Sequence, residues 1–125
     1  MESQRAHILV VDDDASLLNL LVDTLTAIGY KATGVNGGAR ALEALSERSF
    51  DLLVTDIRMP EIDGLQLLEK VRNLYSNLPV LFITGVSLPE TFAQASPDGV
   101  LMKPFRISHI EELIEKTLAG ATVIG

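Results

Sequence analysis

Short β-branched apolar runs alternate along the chain with stretches whose apolar residues recur at helical spacing. The runs are His7–Val11, Lys31–Val35, Asp51–Thr55, Pro79–Thr84 and Gly99–Met102. Several are apolar on both faces, the pattern of a parallel strand covered by helices on both sides. Between them, Leu17, Leu18, Leu21, Val22, Leu25 and Ile28 predict a first helix, closed by Gly29. Ala41, Leu42, Ala44 and Leu45 predict a second. Leu65, Leu68, Val71 and Leu74 predict a third, opened by Asp63-Gly64. Ile107, Ile110, Leu113, Ile114 and Leu118 predict a last one. Residues 87–96 carry the weakest pattern: Leu88-Pro89-Glu90 can open a fourth helix, and Ser96-Pro97 ends it early.

Five strands alternating with five helices specify an α/β fold, a doubly wound sandwich around a five-stranded parallel sheet. Right-handed crossovers make the flavodoxin-like strand order 2-1-3-4-5 the expected one. At 125 residues the chain has room for one domain. Residues 1–125 therefore read as a single domain, with a core from about residue 6 to 118 and a tail or linker start at 119–125.

Ligands in such sheets bind at the carboxyl ends of the strands, near the switch in strand order. The first run ends in Asp12-Asp13-Asp14, the third in Asp56, the fourth in Thr84-Gly85 and the fifth in Lys103-Pro104. All four ends fall on one edge of the sheet. Carboxylates held close together repel, and some take up protons unless a cation sits among them. All-oxygen ligands completed by water are what Mg2+ prefers, so Asp12, Asp13 and Asp56 form a candidate hard-metal site. Kept ionised there, Asp56 can act as a nucleophile toward a phosphoryl group. The metal and Lys103 would neutralise charge on the phosphoryl oxygens. Thr84 can donate a hydrogen bond to one of them, and Gly85 leaves room for a phosphoryl donor or a water. Blander readings compete for single residues. Asp14 reads as a helix N-cap, and Asp63-Gly64 as a turn and cap. His7 and His109 lack ligand-like partners nearby and read as structural. It is the coincidence of four strand ends that carries the case.

Composition narrows the partners. With 17 acidic and 10 basic residues the net charge is −7, which disfavours direct contact with nucleic acid or an anionic membrane. There is no Cys, so neither a disulfide nor a thiolate metal site is expected. No apolar run reaches transmembrane length, and Met1–Arg5 is polar, which together predict a cytoplasmic location.

Three stretches resemble the signatures of response-regulator receiver domains from two-component signalling. They are Ile8-Leu9-Val10-Val11-Asp12-Asp13-Asp14, Asp51-Leu52-Leu53-Val54-Thr55-Asp56-Ile57-Arg58-Met59-Pro60 and Leu101-Met102-Lys103-Pro104-Phe105. Asp63-Gly64 and Thr84-Gly85 match in kind and order, and the resemblance runs from about Ala6 to Leu118. It implies that Asp56 accepts a phosphoryl group from a histidine kinase phosphohistidine or a phosphotransfer domain. It implies that Asp12, Asp13, Asp56 and the backbone carbonyl of Arg58 hold Mg2+, that Thr84 and Lys103 contact the phosphoryl group, and that Lys103-Pro104 is cis. Phosphorylation would draw Thr84 inward and switch a surface made by the fourth helix, fifth strand and fifth helix. That surface would act on an effector domain or protein, and is open to homodimerisation on activation. Such a domain takes part in its own phosphorylation and dephosphorylation and turns over no separate substrate, so it is not expected to be an enzyme.

Two departures touch the output surface. Val100 stands three residues before Lys103, where the family usually has Tyr or Phe as a rotamer switch. The stretch between Thr84 and Lys103 is several residues shorter than usual and holds Pro89 and Pro97. Both keep alive the alternative of a receiver-like protein-binding module without phosphoryl control. A metal-dependent phosphatase would need an acid where Arg58 stands. A nucleotide-binding fold would need a Gly-rich loop where the acidic triplet stands.

Overall fold

The structure, a computed structural model, describes residues 6–85 and 97–123, with side chains as far as Ala119. Five strands, β1 (His7–Val11), β2 (Lys31–Val35), β3 (Leu52–Asp56), β4 (Val80–Thr84) and β5 (Gly99–Met102), pair in parallel in the order β2-β1-β3-β4-β5. Both the class and the strand order are those expected from the sequence. The helices described are α1 (Ala15–Ile28), α2 (Gly38–Glu47), α3 (Gly64–Leu74) and α4 (Ile107–Val123). The expected helix within 87–96 lies outside the described residues. The last helix continues through residues 119–123, assigned above to a tail, because no proline interrupts it and a single glycine costs only about 1 kcal/mol.

Two strand starts shift by one residue. Asp51 lies just before β3, donating its N–H to the His7 carbonyl (2.8 Å) while its carboxylate accepts the His7 N–H (2.8 Å). Pro79 has no N–H to offer the ladder, and its carbonyl accepts from Leu53 (3.0 Å).

Alternation along the strands sends neighbouring side chains to opposite faces of the sheet. Leu9, Val11, Leu53 and Phe82 pack on one face with Ala41 and Leu45 of α2 and Leu67, Leu68 and Val71 of α3. Ile8, Val10, Leu52, Val54, Leu81 and Ile83 pack on the other with Leu18, Leu21 and Leu25 of α1 and Ile110 and Ile114 of α4. Each fully buried side chain of this size is worth about 1.5–3 kcal/mol. The central strands therefore sit rigidly between two apolar layers, and their carboxyl ends are held in a fixed frame.

Polar contacts define the ends of the elements. Asp14 caps α1, accepting from the N–H groups of Ser16 (3.0 Å) and Leu17 (3.2 Å). Gly29, at φ 122°, closes it. Asp63 and Gln66 form a reciprocal capping box at the start of α3. The edge strand β5 is anchored by Asp98, whose carboxylate accepts from Val80 N–H (2.7 Å) and Arg72 Nη2 (3.0 Å). Among the described residues no helix is long and apolar enough to cross a membrane.

Candidate functional site

Asp12 directly follows β1 and is almost wholly buried, at 1% exposure. Its N–H donates to the Val35 carbonyl (3.3 Å), and its Oδ1 accepts the Asp14 N–H (2.8 Å). Its Oδ2 is buried with no hydrogen-bond partner among the described residues. Asp13, next along, is exposed, while Asp14 turns to its capping role. Asp56 is the last residue of β3, in register with Ile83 of β4. Its Oδ1 accepts the Ile57 N–H (2.7 Å), and its Oδ2 lies 3.8 Å from Lys103 Nζ. One carboxylate oxygen from each of Asp12, Asp13 and Asp56 falls within 4.8 Å of the others.

Thr84, the last residue of β4, is buried. Its carbonyl accepts the Lys103 N–H (2.7 Å), which joins the ends of β4 and β5. The Lys103-Pro104 peptide is cis. The Lys103 side chain runs back over Gly85, where an added Cβ would stand 3.5 Å from Lys103 Cδ. The fold thus brings Asp12, Asp13, Asp56, Thr84 and Lys103 to one edge of the sheet, as the strand-end argument requires. Arg58 is exposed on the loop that follows Asp56. His7 lies at the other end of β1, its Nε2 2.7 Å from Thr33 Oγ1 and its ring against Phe50. His109 is exposed in the first turn of α4.

The electrostatics of the acidic group are unbalanced. Burial pushes the Asp12 carboxyl above its ordinary range, and the charges of Asp56 and Asp13 push the same way. The Asp14 amide and Lys103 oppose them. A buried carboxylate oxygen without a partner is costly, and two carboxylates beside it add repulsion. An oxygen-seeking divalent cation would relieve both at once, and an all-carboxylate donor set is the chemistry Mg2+ takes. The residues present therefore fit such an ion.

Sequence reasoning missed how Asp56 itself is held. Thr55 Oγ1 donates to the Asp56 carbonyl (2.8 Å), and Gly64 N–H donates to the Ile57 carbonyl (2.7 Å). A Cβ on Gly64 would stand 2.6 Å from the Asp56 carbonyl oxygen and 2.8 Å from Ile57 Cα. Gly64 is thus more than the turn residue its sequence context suggests: it lets α3 seat against the peptide after Asp56.

The response regulator receiver domain family matches residues 8–115, which include every residue of this cluster. The chain belongs to that family. Its similarity to the receiver protein CpdR of Brucella abortus is 38% identity over 118 residues, 92% of this chain and 98% of CpdR. Against the transcriptional regulatory protein ZraR of Escherichia coli O157:H7 it is 38% identical over 127 residues, 99% of this chain and 29% of ZraR. The chain thus spans less than a third of that relative. A CheY-like receiver domain protein from Methanospirillum hungatei superposes with a TM-score of 0.91 at 27% identity, covering 98% of this chain and all of that one. This receiver carries Val100 half-buried in β5, in register with Phe82 and packed against the core face that holds it. Of the expected output surface, β5 and α4 are described, while the 87–96 segment lies outside the described residues. Phosphorylation as a switch is the typical work of the family, and nothing found favours a receiver-like module without it.

Proposed function

We propose that this receiver takes a phosphoryl group on Asp56 from the phosphohistidine of a histidine kinase or phosphotransfer domain. The observation that carries the reading is the Asp56 carboxylate: one oxygen accepts the Ile57 N–H, and the other faces Lys103 beside two further carboxylates. Asp56 Oδ2 attacks phosphorus, and the P–N bond of the donor breaks. Its electron pair goes to the departing imidazole, and an acyl phosphate forms on Asp56. Lys103 meets the negative charge gathered on the phosphoryl oxygens, and the Thr84 hydroxyl donates to one of them. Asp12, Asp13, Asp56 and the Arg58 backbone carbonyl would hold Mg2+. When bound, the ion neutralises carboxylate and phosphoryl charge and keeps Asp56 ionised. Hydrolysis by water returns the aspartate and releases inorganic phosphate, so the domain has no separate substrate to turn over.

New contacts from Thr84 and Lys103 to the phosphoryl group would shift the balance between two arrangements of β5 and α4; the fourth helix expected in this surface lies outside the described residues. The partner on that side would be an effector domain or protein, or a second copy of the receiver on activation. With Val100 in place of a ring, the switch would work without an aromatic rotamer. The charge of −7 argues against direct nucleic-acid contact, and a cytoplasmic location belongs to the same reading.

Intact-mass spectrometry after incubation with acetyl phosphate tests this. A single added phosphate should appear on wild type with Mg2+, and not without Mg2+ or on Asp56→Asn. Phosphate that still adds to Asp56→Asn would remove Asp56 from the role. Failure of wild type to take up either phosphate or a beryllofluoride mimic would sink the phosphoryl reading.

A further inference from the structure

The peptide unit between Asp56 and Ile57 is held at both ends. Its carbonyl oxygen accepts from Thr55 Oγ1 (2.8 Å), and its N–H donates to Asp56 Oδ1 (2.7 Å). The Thr55 hydroxyl, one planar amide and the Asp56 carboxylate therefore form a single chain of hydrogen bonds. A planar amide turns as one body, so holding its carbonyl also holds its N–H. Donation to the carbonyl also polarises the amide and strengthens the bond its N–H makes. Gly64 closes the other side, with its N–H on the Ile57 carbonyl (2.7 Å) and no Cβ to strike the Asp56 carbonyl.

Thr55 is well suited to this task. It is fully buried in β3, in register with Val11 and Phe82, so its backbone cannot shift without moving the sheet. A threonine in that apolar setting needs a reason, since valine would fill the same volume without a polar atom. Its hydroxyl finds its partner in the carbonyl of the very next residue.

We infer that Thr55 is a positioning residue for phosphoryl transfer: through the 56–57 amide it fixes Asp56 Oδ1 and so presents Oδ2 toward Lys103. The inference rests on Asp56 being the phosphoacceptor. Without the hydroxyl the amide can rock, the Oδ1 bond loosens, and the carboxylate samples orientations that do not face the donor. Small misplacements of a reacting group are expensive in rate.

The test compares wild type with Thr55→Val, Thr55→Ala and Thr55→Ser, each over the full chain. Two readouts are taken: the rate of Asp56 phosphorylation by acetyl phosphate at saturating Mg2+, and the amide proton shift of Ile57 by NMR without a donor. Thermal melts establish that each variant is folded. Thr55→Val and Thr55→Ala are expected to slow phosphorylation roughly tenfold and to move the Ile57 amide upfield. Thr55→Ser, which keeps the hydroxyl, is expected to restore both to within about twofold. Valine at the wild-type rate would overturn the inference, and so would an unmoved Ile57 amide. Serine as slow as valine would also overturn it, since packing rather than the hydroxyl would then matter. A wild type that takes up neither phosphate nor a beryllofluoride mimic would overturn the phosphoryl reading and, with it, the role of Thr55 in transfer; an Ile57 amide that still moved in Thr55→Val would then show the hydroxyl clamp to exist apart from that role.

Discussion

Asp12 shows how a single side chain is placed at the cost of stability. Burial and its acidic neighbours raise its carboxyl above the ordinary value of 3.8. The folded state then binds that proton more tightly than the unfolded chain does. Stability of the metal-free protein should therefore fall as pH rises through the raised value, with the full penalty present above it. Asp12→Asn keeps an oxygen for the Asp14 amide and removes the charge. It is expected to raise the metal-free melting temperature at a pH above the raised value and to abolish any further rise with Mg2+. A lowered metal-free melting temperature in this variant would contradict the electrostatic account. Glu61 illustrates a different local cost. It lies in the loop after Asp56 at φ 68°, in the left-handed region, where a side chain costs about 1–2 kcal/mol. Part of that is recovered by glycine, which also loses more freedom on folding. Glu61→Gly should gain about 0.5–1 kcal/mol in urea unfolding, and a loss of that size would show that the Glu61 side chain holds the loop.

The elements owe their boundaries to a few polar residues. Asp63 opens α3 with a capping box, which places Gly64 against the peptide after Asp56. Asp63→Ala should cost about 1 kcal/mol of stability, read from denaturant midpoints. A change within error would mean that packing of Leu67, Leu68 and Val71 alone fixes the helix start. At the opposite edge of the sheet, His7 joins β1 to Thr33 of β2 and to Phe50 and Asp51 before β3. Burial lowers its imidazole below 6.5, with Lys31 and Arg48 pushing the same way and Asp51 opposing. The unfolded chain thus takes up this proton more readily. The contribution of neutral His7 is complete above pH 6.5 and is lost as pH falls through the depressed folded value. His7→Gln should flatten the decline in melting temperature below about pH 6.5. An unchanged pH profile would assign that decline to other groups.

For the molecule as a whole, metal binding and folding should be linked. An ion that binds the assembled acidic cluster and not the unfolded chain stabilises by about 2.7 kcal/mol at a hundred times its Kd. Melting temperature is therefore expected to climb with the logarithm of Mg2+ concentration in wild type. A melting temperature independent of Mg2+ at millimolar levels would argue that the cluster takes no metal.

Period-two and period-3.6 patterns specify which segments become strands and helices, because each face must be buried against something. The sequence by itself therefore determined the parallel sheet, its order, and the convergence of Asp12, Asp13, Asp56, Thr84 and Lys103, since strand ends in this fold share one edge. Val100 was equally visible as a residue of β5, but its half-buried seat beside Phe82 appeared only once the strands were in register. Thr55 looked like any β-branched strand residue, and Gly64 like any turn glycine. Their work on the Asp56 peptide rests on a 2.8 Å hydrogen bond and on a seating of Gly64 so close that a Cβ there would stand 2.6 Å from the Asp56 carbonyl oxygen. Such distances depend on how α3 docks against β3, on packing between segments distant along the chain, which no local pattern encodes. Residue types and spacing settled which groups meet at the site; only the packed structure decided how closely each is held.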